Sequence, residues 1–354
     1  MPFMIEKESK QVSSERIPGV PILKVIGVGG AGCNAINRMA EVGIKGVTLI
    51  SVNTDAQVLE VSKADIVVQI GEKLTKGLGA GGNAKVGEEA ALEDRKKLED
   101  ILHGTDMLFI TAGFGGGTGT GAAPVIAEIA KTLGILTVAI VTMPFFFEGT
   151  PRWNTAREGI AKMAGKVDTL IKISNNKLLE ELSPSTTIVD AFSTADEILH
   201  QGVKGISDLI MKRGYINLDF ADIESVMRNA GNAMLGIGIG KGEKRVYDAT
   251  RKALDNKFLD YPIENAKSLI LNISAPRNST LQEMQEAAMI VKQTCSEDAD
   301  MKFGMVIDDE LSDDEMRVTV IATKFDTEDN SEKQAEDIPA IYKFGLEYKG
   351  NVGE

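Results

Sequence analysis

The chain is poor in the residues that build disulfides, metal sites and histidine-based catalysis. Its 354 residues include two cysteines and two histidines. Cys33 and Cys295 are far apart and have no cysteine or histidine nearby, so the pattern predicts neither a disulfide framework nor a zinc site. His103 and His200 alone offer little material for a catalytic triad. We therefore expect a protein of a reducing, cytoplasmic compartment with no metal centre built from its side chains.

Long hydrophobic runs and positive charge are also scarce. No apolar run reaches the roughly 20 residues that a membrane-spanning helix needs, and the polar start of the chain has no signal-peptide core. The formal net charge is −13. Such a charge disfavours nucleic acids and anionic membranes as partners, because both carry negative charge themselves. We expect no nucleic-acid binding and no direct membrane insertion.

Glycine, by contrast, is abundant and clustered. The densest cluster is GFGGGTGTG at residues 113–121, between an apolar run and a helical pattern. Glycines let backbone N–H groups approach a polyphosphate, a helix start adds a positive dipole end, and the two threonine hydroxyls can donate to phosphate oxygens. A mobile surface loop is the alternative, but strand and helix patterns abut the cluster on both sides. The cluster lacks the Gly-Lys-Ser/Thr ending of a Walker A motif.

Two further glycine clusters follow predicted strands. The sequence GVGGAGCN at residues 27–34 has glycine at its first, third and sixth positions, and Asp55 comes after the next strand. Alone, this spacing predicts a dinucleotide-binding loop and an NAD enzyme. The third cluster is GLGAGG at residues 77–82. Three phosphate-binding loops in one sheet fit a triphosphate better.

Strand and helix patterns alternate through the first half of the chain, which is typical of a doubly wound, mainly parallel sheet that binds ligands at the carboxyl ends of its strands. Each glycine cluster lies at such an end. A long helical pattern over residues 188–213 then leads to a smaller α/β domain with a four-stranded sheet. The strands are predicted at residues 22–28, 47–52, 65–70, 107–112, 135–142 and 169–174, and in the second domain at 233–240, 268–274, 302–307 and 316–323.

Many short motifs together resemble the FtsZ family, the bacterial and archaeal tubulin homologues of cell division. The resemblance covers residues 22–323 and resumes in the tail. GGGTGTG is specific to the tubulin/FtsZ superfamily, and NLDFAD with DIPA narrows it to FtsZ. The motifs are GVGGAGCN, NTD, GLGAGG, TAGFGGGTGTGAAP, FEG followed by Arg152, ISNNK, DAF, NLDFAD and DIPAIYK.

The resemblance implies a self-assembling GTPase that forms head-to-tail filaments for the cell-division ring, on the inner face of the membrane at mid-cell. Its cofactors would be GTP or GDP and Mg²⁺, the metal held mostly through water. Its partners would be further copies of itself and membrane-tethering division proteins such as FtsA, bound through the tail from Asp337 to Phe344. From the residues alone, that tail is either a frayed terminus or a short docking peptide.

The resemblance also divides the chain. We predict a disordered tail at residues 1–21, a GTP-binding domain at 22–187, the central helix at 188–213 and a C-terminal α/β domain at 214–324. An acidic flexible linker would follow at residues 325–336, and the docking peptide would occupy 337–354.

By resemblance, a set of backbone and side-chain groups would bind the nucleotide: the first loop and the glycine cluster at the phosphates, the third loop near the γ-phosphate, two charged residues at the ribose and three residues at the guanine. A carboxylate suits guanine, whose N1–H and exocyclic amine are both donors. The residues, in that order, are Gly29, Gly30, Ala31, Gly32, Cys33 and Asn34, with Asp55; Gly116, Gly117, Thr118, Gly119, Thr120 and Gly121; Ala80, Gly81 and Gly82; Glu148 and Arg152; and Asn175, Phe192 and Asp196.

Several of these side chains have plainer alternatives. Phe192 fits a core position, and Asp196 fits a solvated helix face. Glu148 and Arg152 fit an i,i+4 surface pair worth a few tenths of a kcal/mol. Cys33 stands where the family usually has another small residue, so we expect its contact to be through the backbone.

The acidic loop, NLDFAD at residues 217–222, is predicted away from the strand ends that carry the glycine clusters, too far to serve the nucleotide of its own chain. By resemblance it enters the site of the next subunit, where Asp219 and Asp222 polarise the attacking water and Asn217 lies near the phosphate. The alternative for Asp222 is a helix N-cap.

Two other functions compete with this one. An NAD-dependent dehydrogenase would use the first glycine loop but leaves GGGTGTG and NLDFAD unexplained. A GTP-binding scaffold that does not hydrolyse GTP would need no acidic loop.

Overall fold

The computed structural model describes residues 19–325, except residues 184, 213, 215, 217, 256–262, 297 and 310 and the side chains of 179–181. Residues 1–18 of the predicted disordered tail, residues 326–336 of the predicted linker and the docking peptide therefore lie outside the described residues, as does Asn217. Phe325, predicted as the first residue of the linker, is instead the last residue of a strand.

Ten strands of the described chain form one sheet, in the order β3-β2-β1-β4-β5-β6-β7-β10-β8-β9. Strands β1 to β6 are parallel to their neighbours, and so are β6 with β7 and β8 with β9. Strand β10 runs antiparallel to both β7 and β8. The strands are β1 Leu23–Val28, β2 Val47–Asn53, β3 Ile66–Gln69, β4 Met107–Gly113, β5 Leu136–Met143, β6 Thr169–Ser174, β7 Gly231–Lys241, β8 Ala266–Ala275, β9 Asp300–Ile307 and β10 Glu315–Phe325.

Helices cover both faces of the parallel half, which is why β4 and β5 are apolar along almost their whole length. One hydrophobic core lies between this sheet and α1, α9 and α10, and a second lies beneath α4 to α7. The helices are α1 Gly29–Val42, α2 Ala56–Glu60, α3 Glu72–Thr75, α4 Ala84–Glu93, α5 Arg95–Leu102, α6 Thr118–Thr132, α7 Thr150–Met163, α8 Asn175–Glu181, α9 Ile188–Met211, α10 Phe220–Met227, α11 Arg245–Leu254 and α12 Leu281–Thr294.

A third core joins β7 to β10 with α11 and α12. Alternate glycines in β7, at 236, 238 and 240, let α11 lie directly on the strand. A Cβ at each would overlap the carbonyl oxygen of Ala253, Ala249 or Arg245, respectively. These glycines therefore serve packing, in agreement with the absence of a phosphate-loop pattern around them.

The predicted fold class is confirmed: a doubly wound, mainly parallel domain is followed by a long helix and a smaller α/β unit with four strands. The structure adds that the two sheets are continuous. Strand β7 pairs with β6 over three residues, from Thr169 opposite Gly231 to Ile171 opposite Ala233. No helix within the described residues is long and apolar enough to cross a membrane.

Candidate functional site

The three glycine loops meet at the carboxyl ends of β1, β2 and β4. A Cβ on Gly29 would lie 2.7 Å from the backbone nitrogen of Gly119, so the first loop and the glycine cluster touch backbone to backbone. A Cβ on Gly117 would lie 2.7 Å from the Ala80 methyl, which brings in the third loop. Gly29 also has a φ of +74°, a conformation that favours glycine.

Other glycines of the same loops have open space beside them. Within the described chain, a Cβ on Gly30, Gly81, Gly82 or Gly116 would meet no heavy atom within 4 Å. Two kinds of glycine are therefore present: some let the loops pack together, and others have no protein atoms beside them. An open backbone at a helix start is what a phosphate group requires.

Hydroxyl groups hold the glycine cluster in place. The hydroxyls of Thr54 and Thr118 lie 2.7 Å apart in a buried hydrogen bond that ties the end of β2 to the start of α6. The Thr120 hydroxyl accepts from the Gly115 N–H at 2.9 Å. Both threonines of the cluster are buried, so the structure gives their hydroxyls a role in shaping the loop beside the phosphate contact predicted for them.

Asp55 has a local structural role. Its carboxylate caps α2 by accepting from the Gln57 N–H at 2.9 Å, and its backbone bridges to Leu78 in the third loop. The Asn53 side chain accepts from the N–H groups of Thr54 and Asp55, which fixes this turn. Asp55 thus joins the third loop to β2.

Cys33 is fully buried in the second turn of α1, and Asn34 is exposed. The Cys33 sulfur lies 3.7 Å from the Val52 carbonyl oxygen, and burial raises the pKa of the thiol to about 11. The side chain is therefore a neutral core group. A buried side chain leaves only the backbone of this position for a ligand, and its contact with a nucleotide stays a prediction.

The loop after β5 carries an aromatic cluster. Phe145 is buried, with its ring stacked on Phe147 at 5.0 Å and edge-on to Phe192 at 5.1 Å. Phe192 itself is 41% exposed, so the core alternative for it is wrong. Phe147, 59% exposed and stacked on Phe145, lies beside the predicted residue Phe192 but was not among the predicted site residues, although the unusual FFF run was its signal.

Glu148 is held on two sides. One carboxylate oxygen accepts from the Phe145 N–H at 2.9 Å, and the other pairs with the Arg152 guanidinium at 2.8 Å. The same loop is tied to α8, because the Asn176 side chain accepts from the Phe146 N–H at 2.8 Å. Asn176 was also absent from the predicted site. Glu148 and Arg152 therefore form the i,i+4 pair that the sequence offered as the alternative, with the carboxylate additionally fixed by the backbone, and their contact with a ribose stays a prediction.

Asn175 and Asp196 carry the groups that fit a guanine. The Asn175 side-chain oxygen is buried and has no hydrogen-bond partner in the described part of the chain. Burial raises the pKa of Asp196 to about 7. A buried amide acceptor and a desolvated carboxylate suit the N1–H and exocyclic amine of guanine, since these two donors would supply the missing hydrogen bonds.

The acidic loop lies at the other edge of the sheet. The Thr169 hydroxyl, at the start of β6, donates to the Met227 carbonyl at the end of α10 at 2.6 Å. Asn175, by contrast, follows the last residue of β6. Helix α9 connects the two edges, and its 24 residues span about 36 Å. Asp219 and Asp222 therefore lie far from the glycine loops of their own chain.

Asp219 and Asp222 cap the start of α10 together. Asp219 is the N-cap and accepts from the Asp222 N–H at 2.8 Å, while Asp222 accepts from the Asp219 N–H at 3.4 Å. The N-cap alternative considered for Asp222 is thus wrong by one turn: the helix begins at Phe220, and Asp219 is its cap.

Comparisons with known proteins match both halves of the chain. The GTPase-domain model of the tubulin/FtsZ family matches residues 22–183, and the C-terminal-domain model of the FtsZ family matches residues 231–326.

Solved structures agree with both matches. An empty FtsZ dimer from M. jannaschii is 45% identical, with 86% of this chain and 88% of that chain covered and a TM-score of 0.82. A mutant FtsZ from the same organism is 44% identical, with 86% and 92% covered and a TM-score of 0.83. CetZ1 from Haloferax volcanii, a GDP-bound monomer, is 19% identical, with 93% and 99% covered and a TM-score of 0.76, which shows a shared fold.

Proposed function

The chain belongs to the FtsZ family of tubulin-like GTPases, and we propose that it assembles head to tail into filaments of the cell-division ring and hydrolyses GTP at the contact between subunits. Guanine-nucleotide binding and GTP hydrolysis follow from the family. The family match gives no support to the alternative of an NAD-dependent dehydrogenase. Self-assembly, hydrolysis at the interface between subunits and a mid-cell location go beyond what family membership shows, and we propose them for this chain.

The observation that carries the proposal is the separation of two half-sites. The open glycines and the unpartnered Asn175 oxygen lie at the carboxyl ends of the parallel strands. The Asp219–Asp222 pair lies at the amino ends of these strands. A heterologous contact that joins these two edges repeats without closing, which generates a filament. An FtsZ relative at 45% identity was solved as a dimer, which is consistent with association between copies.

In the nucleotide half-site, the backbone N–H groups around Gly30 and Gly116 would hold the phosphates. Glu148 and Arg152 would bind the ribose, with Asn175, Phe192 and Asp196 on the guanine. Phe145 supports the Phe192 ring edge-on and so orients it for stacking. These roles follow the family resemblance together with the burial and contacts of each residue.

Magnesium would be held mainly through water. The described residues contain no group of three or more His, Cys, Asp or Glu side chains placed to hold a metal ion. Asn34, exposed in the second turn of α1, would offer a neutral oxygen close to phosphates held by the first loop. Mg²⁺ retains several waters and commonly binds through substrate phosphates, where it offsets their negative charge, so this donor set fits it.

In the acidic half-site, Asp219 and Asp222 would orient the attacking water towards the γ-phosphate of the neighbouring subunit. Each uses one carboxylate oxygen in the mutual cap, and the other oxygen of Asp222 faces the Lys302 ammonium at 3.6 Å. A carboxylate oxygen has more than one lone pair, so these contacts do not prevent Asp222 from accepting from water. A carboxylate pair held in this way can accept a proton from water as the bond to phosphorus forms. Asn217, outside the described residues, is proposed to lie near the phosphate.

The proposal predicts that GTPase activity depends on assembly. Specific activity should be near zero in dilute protein and should rise steeply above a threshold concentration, in step with the pelletable polymer. A specific activity independent of concentration would contradict a shared site. A GTP-binding scaffold, the remaining alternative, would show polymer without turnover at every concentration.

A further inference from the structure

Strand β9 supports the segment that carries the acidic loop. The Met305 N–H donates to the Ile216 carbonyl at 2.9 Å. A Cβ on Gly214 would overlap the Met305 carbonyl oxygen, so the two backbones are in direct contact there. A Cβ on Gly304 would lie 2.7 Å from the Leu209 side chain and 3.5 Å from that of Leu218. The acidic loop therefore rests against one face of β9.

Lys302 is on that same face, two residues before Gly304, since alternate residues of a strand point to the same side. Its ammonium nitrogen lies 3.6 Å from the Asp222 Oδ1 and 3.7 Å from the Asp300 Oδ1. Asp222 is thus held through both oxygens: Oδ2 accepts from the Asp219 N–H, and Oδ1 faces the Lys302 ammonium.

We propose that Lys302 is a positioning residue for Asp222 in GTP hydrolysis, an inference that rests on the proposed function of the acidic loop. The cap and the ammonium act on different oxygens, so together they fix the plane of the carboxylate. Two carboxylates that approach the phosphates of a neighbouring subunit also meet like charge. A lysine on the supporting strand offsets that repulsion without occupying the place of the attacking water.

The test is the turnover of Lys302→Met and Lys302→Arg, measured per assembled subunit after the polymer is pelleted. Methionine keeps an unbranched side chain of similar length but removes the charge. A half-exposed ion pair is worth up to about 1 kcal/mol, so we expect kcat to fall by about three- to fivefold in Lys302→Met. The KM for GTP should not change, and Lys302→Arg should recover most of the loss.

A double-mutant cycle separates positioning from other roles. If Lys302 acts through Asp222, Lys302→Met should cause no further loss in an Asp222→Asn background, measured as residual hydrolysis. The same fold-loss in both backgrounds, or an unchanged kcat in Lys302→Met, would overturn the proposal. Lys241→Met is the control, because Lys241 of β7 pairs with Glu315 of β10 at a similar distance, 3.8 Å, away from the acidic loop, and its turnover should match the parent.

Failure of this inference is distinguishable from failure of the proposed function. If Asp222→Asn itself kept full turnover, the acidic loop would not be catalytic and both ideas would fall. If Asp222→Asn lost turnover while Lys302→Met kept it, only the role of Lys302 would be refuted. GDP binding and far-UV circular dichroism of each variant establish that it is folded.

Discussion

The carboxylates of Asp219 and Asp222 cap each other's backbone N–H groups across the first turn of α10, at 2.8 Å and 3.4 Å. Each of the two residues therefore has a structural role in its own chain, in addition to the catalytic role proposed for it in the nucleotide site of the neighbouring subunit. A test of catalysis has to preserve the cap. Asparagine does so at position 222, because its side-chain oxygen can still accept the Asp219 N–H.

We expect Asp222→Asn to bind GTP and to form polymers that persist longer than those of the parent protein. Turnover should fall about 10²- to 10⁴-fold, the usual contribution of a general base. Phosphate release per pelleted subunit measures this. Asp219→Ala is the contrasting variant and should lose about 1 kcal/mol of stability with its cap. Equal loss of GTP binding and turnover in Asp222→Asn would assign the residue a structural role.

Asp196 should make nucleotide binding sensitive to pH. Burial raises its pKa to about 7, whereas guanine donors favour the ionised carboxylate. GTP affinity should therefore decline as the pH falls below about 7. In Asp196→Asn the affinity for GTP should be lower and this pH dependence should disappear. Equilibrium titration of GDP across the pH range checks it, and a parent protein with constant affinity from about pH 5 to 8 would contradict it.

The same carboxylate should oppose folding when no nucleotide is bound. A pKa raised in the folded state means that the folded protein keeps a proton that the unfolded chain releases, so this contribution to stability falls as the pH rises from about 4 to 7. Asp196→Asn should then raise the thermal midpoint of nucleotide-free protein at about pH 8 and change it little at about pH 4. Scanning calorimetry at both pH values measures the two thermal midpoints. An Asp196→Asn variant less stable than the parent protein at the higher pH would refute the claim.

Two neighbouring glycines should separate folding from binding. Alanine at Gly29 forces a side chain into positive φ, against the Gly119 backbone, and should destabilise the domain by roughly 2 kcal/mol or more. Alanine at Gly30 meets open space and should cost less than about 0.5 kcal/mol. It should nevertheless weaken GDP binding about tenfold, because its methyl keeps the phosphate from the backbone. Urea unfolding and GDP titration measure the pair; normal binding by Gly30→Ala would place the phosphates elsewhere.

The tail proposal separates assembly from attachment. Deletion of residues 337–344, which lie outside the described chain, should leave polymerisation and GTPase activity unchanged and abolish binding to a membrane-tethering division protein such as FtsA. Co-sedimentation with the partner on vesicles measures attachment. A truncated protein that fails to polymerise would show that the segment contributes to assembly instead.

Features carried by local sequence could be predicted. Glycine runs such as 113–121 identify the loops, and continuous apolar runs identify the strands before them, because both follow from neighbouring residues. The long helix and the acidic loop after it were found in the same way. Cys33, placed among small residues near a helix start, is buried, which agrees with the expectation that its side chain does not reach a ligand.

Contacts between distant residues could not be predicted. Strand β7 joins β6 by pairing Thr169 with Gly231, and nothing in either segment encodes that register. The edge-on contact of Phe145 with Phe192 and the hydrogen bond from the Phe146 N–H to Asn176 likewise depend on the packing of separate elements. In the sequence, Lys302 cannot be distinguished from other surface lysines, because its contact with Asp222 depends on how β9 and α10 pack together.

The most direct test is to mix two variants that are each inactive. Asp222→Asn keeps the nucleotide half-site and lacks a working acidic loop, while Asp196→Ala keeps the loop and binds GTP poorly. In a randomly mixed head-to-tail filament about a quarter of the contacts would pair an intact nucleotide site with an intact loop. If the active site is shared between two subunits, the mixture should recover turnover that neither variant has alone. A mixture as inactive as its components, in filaments shown to contain both, would contradict it.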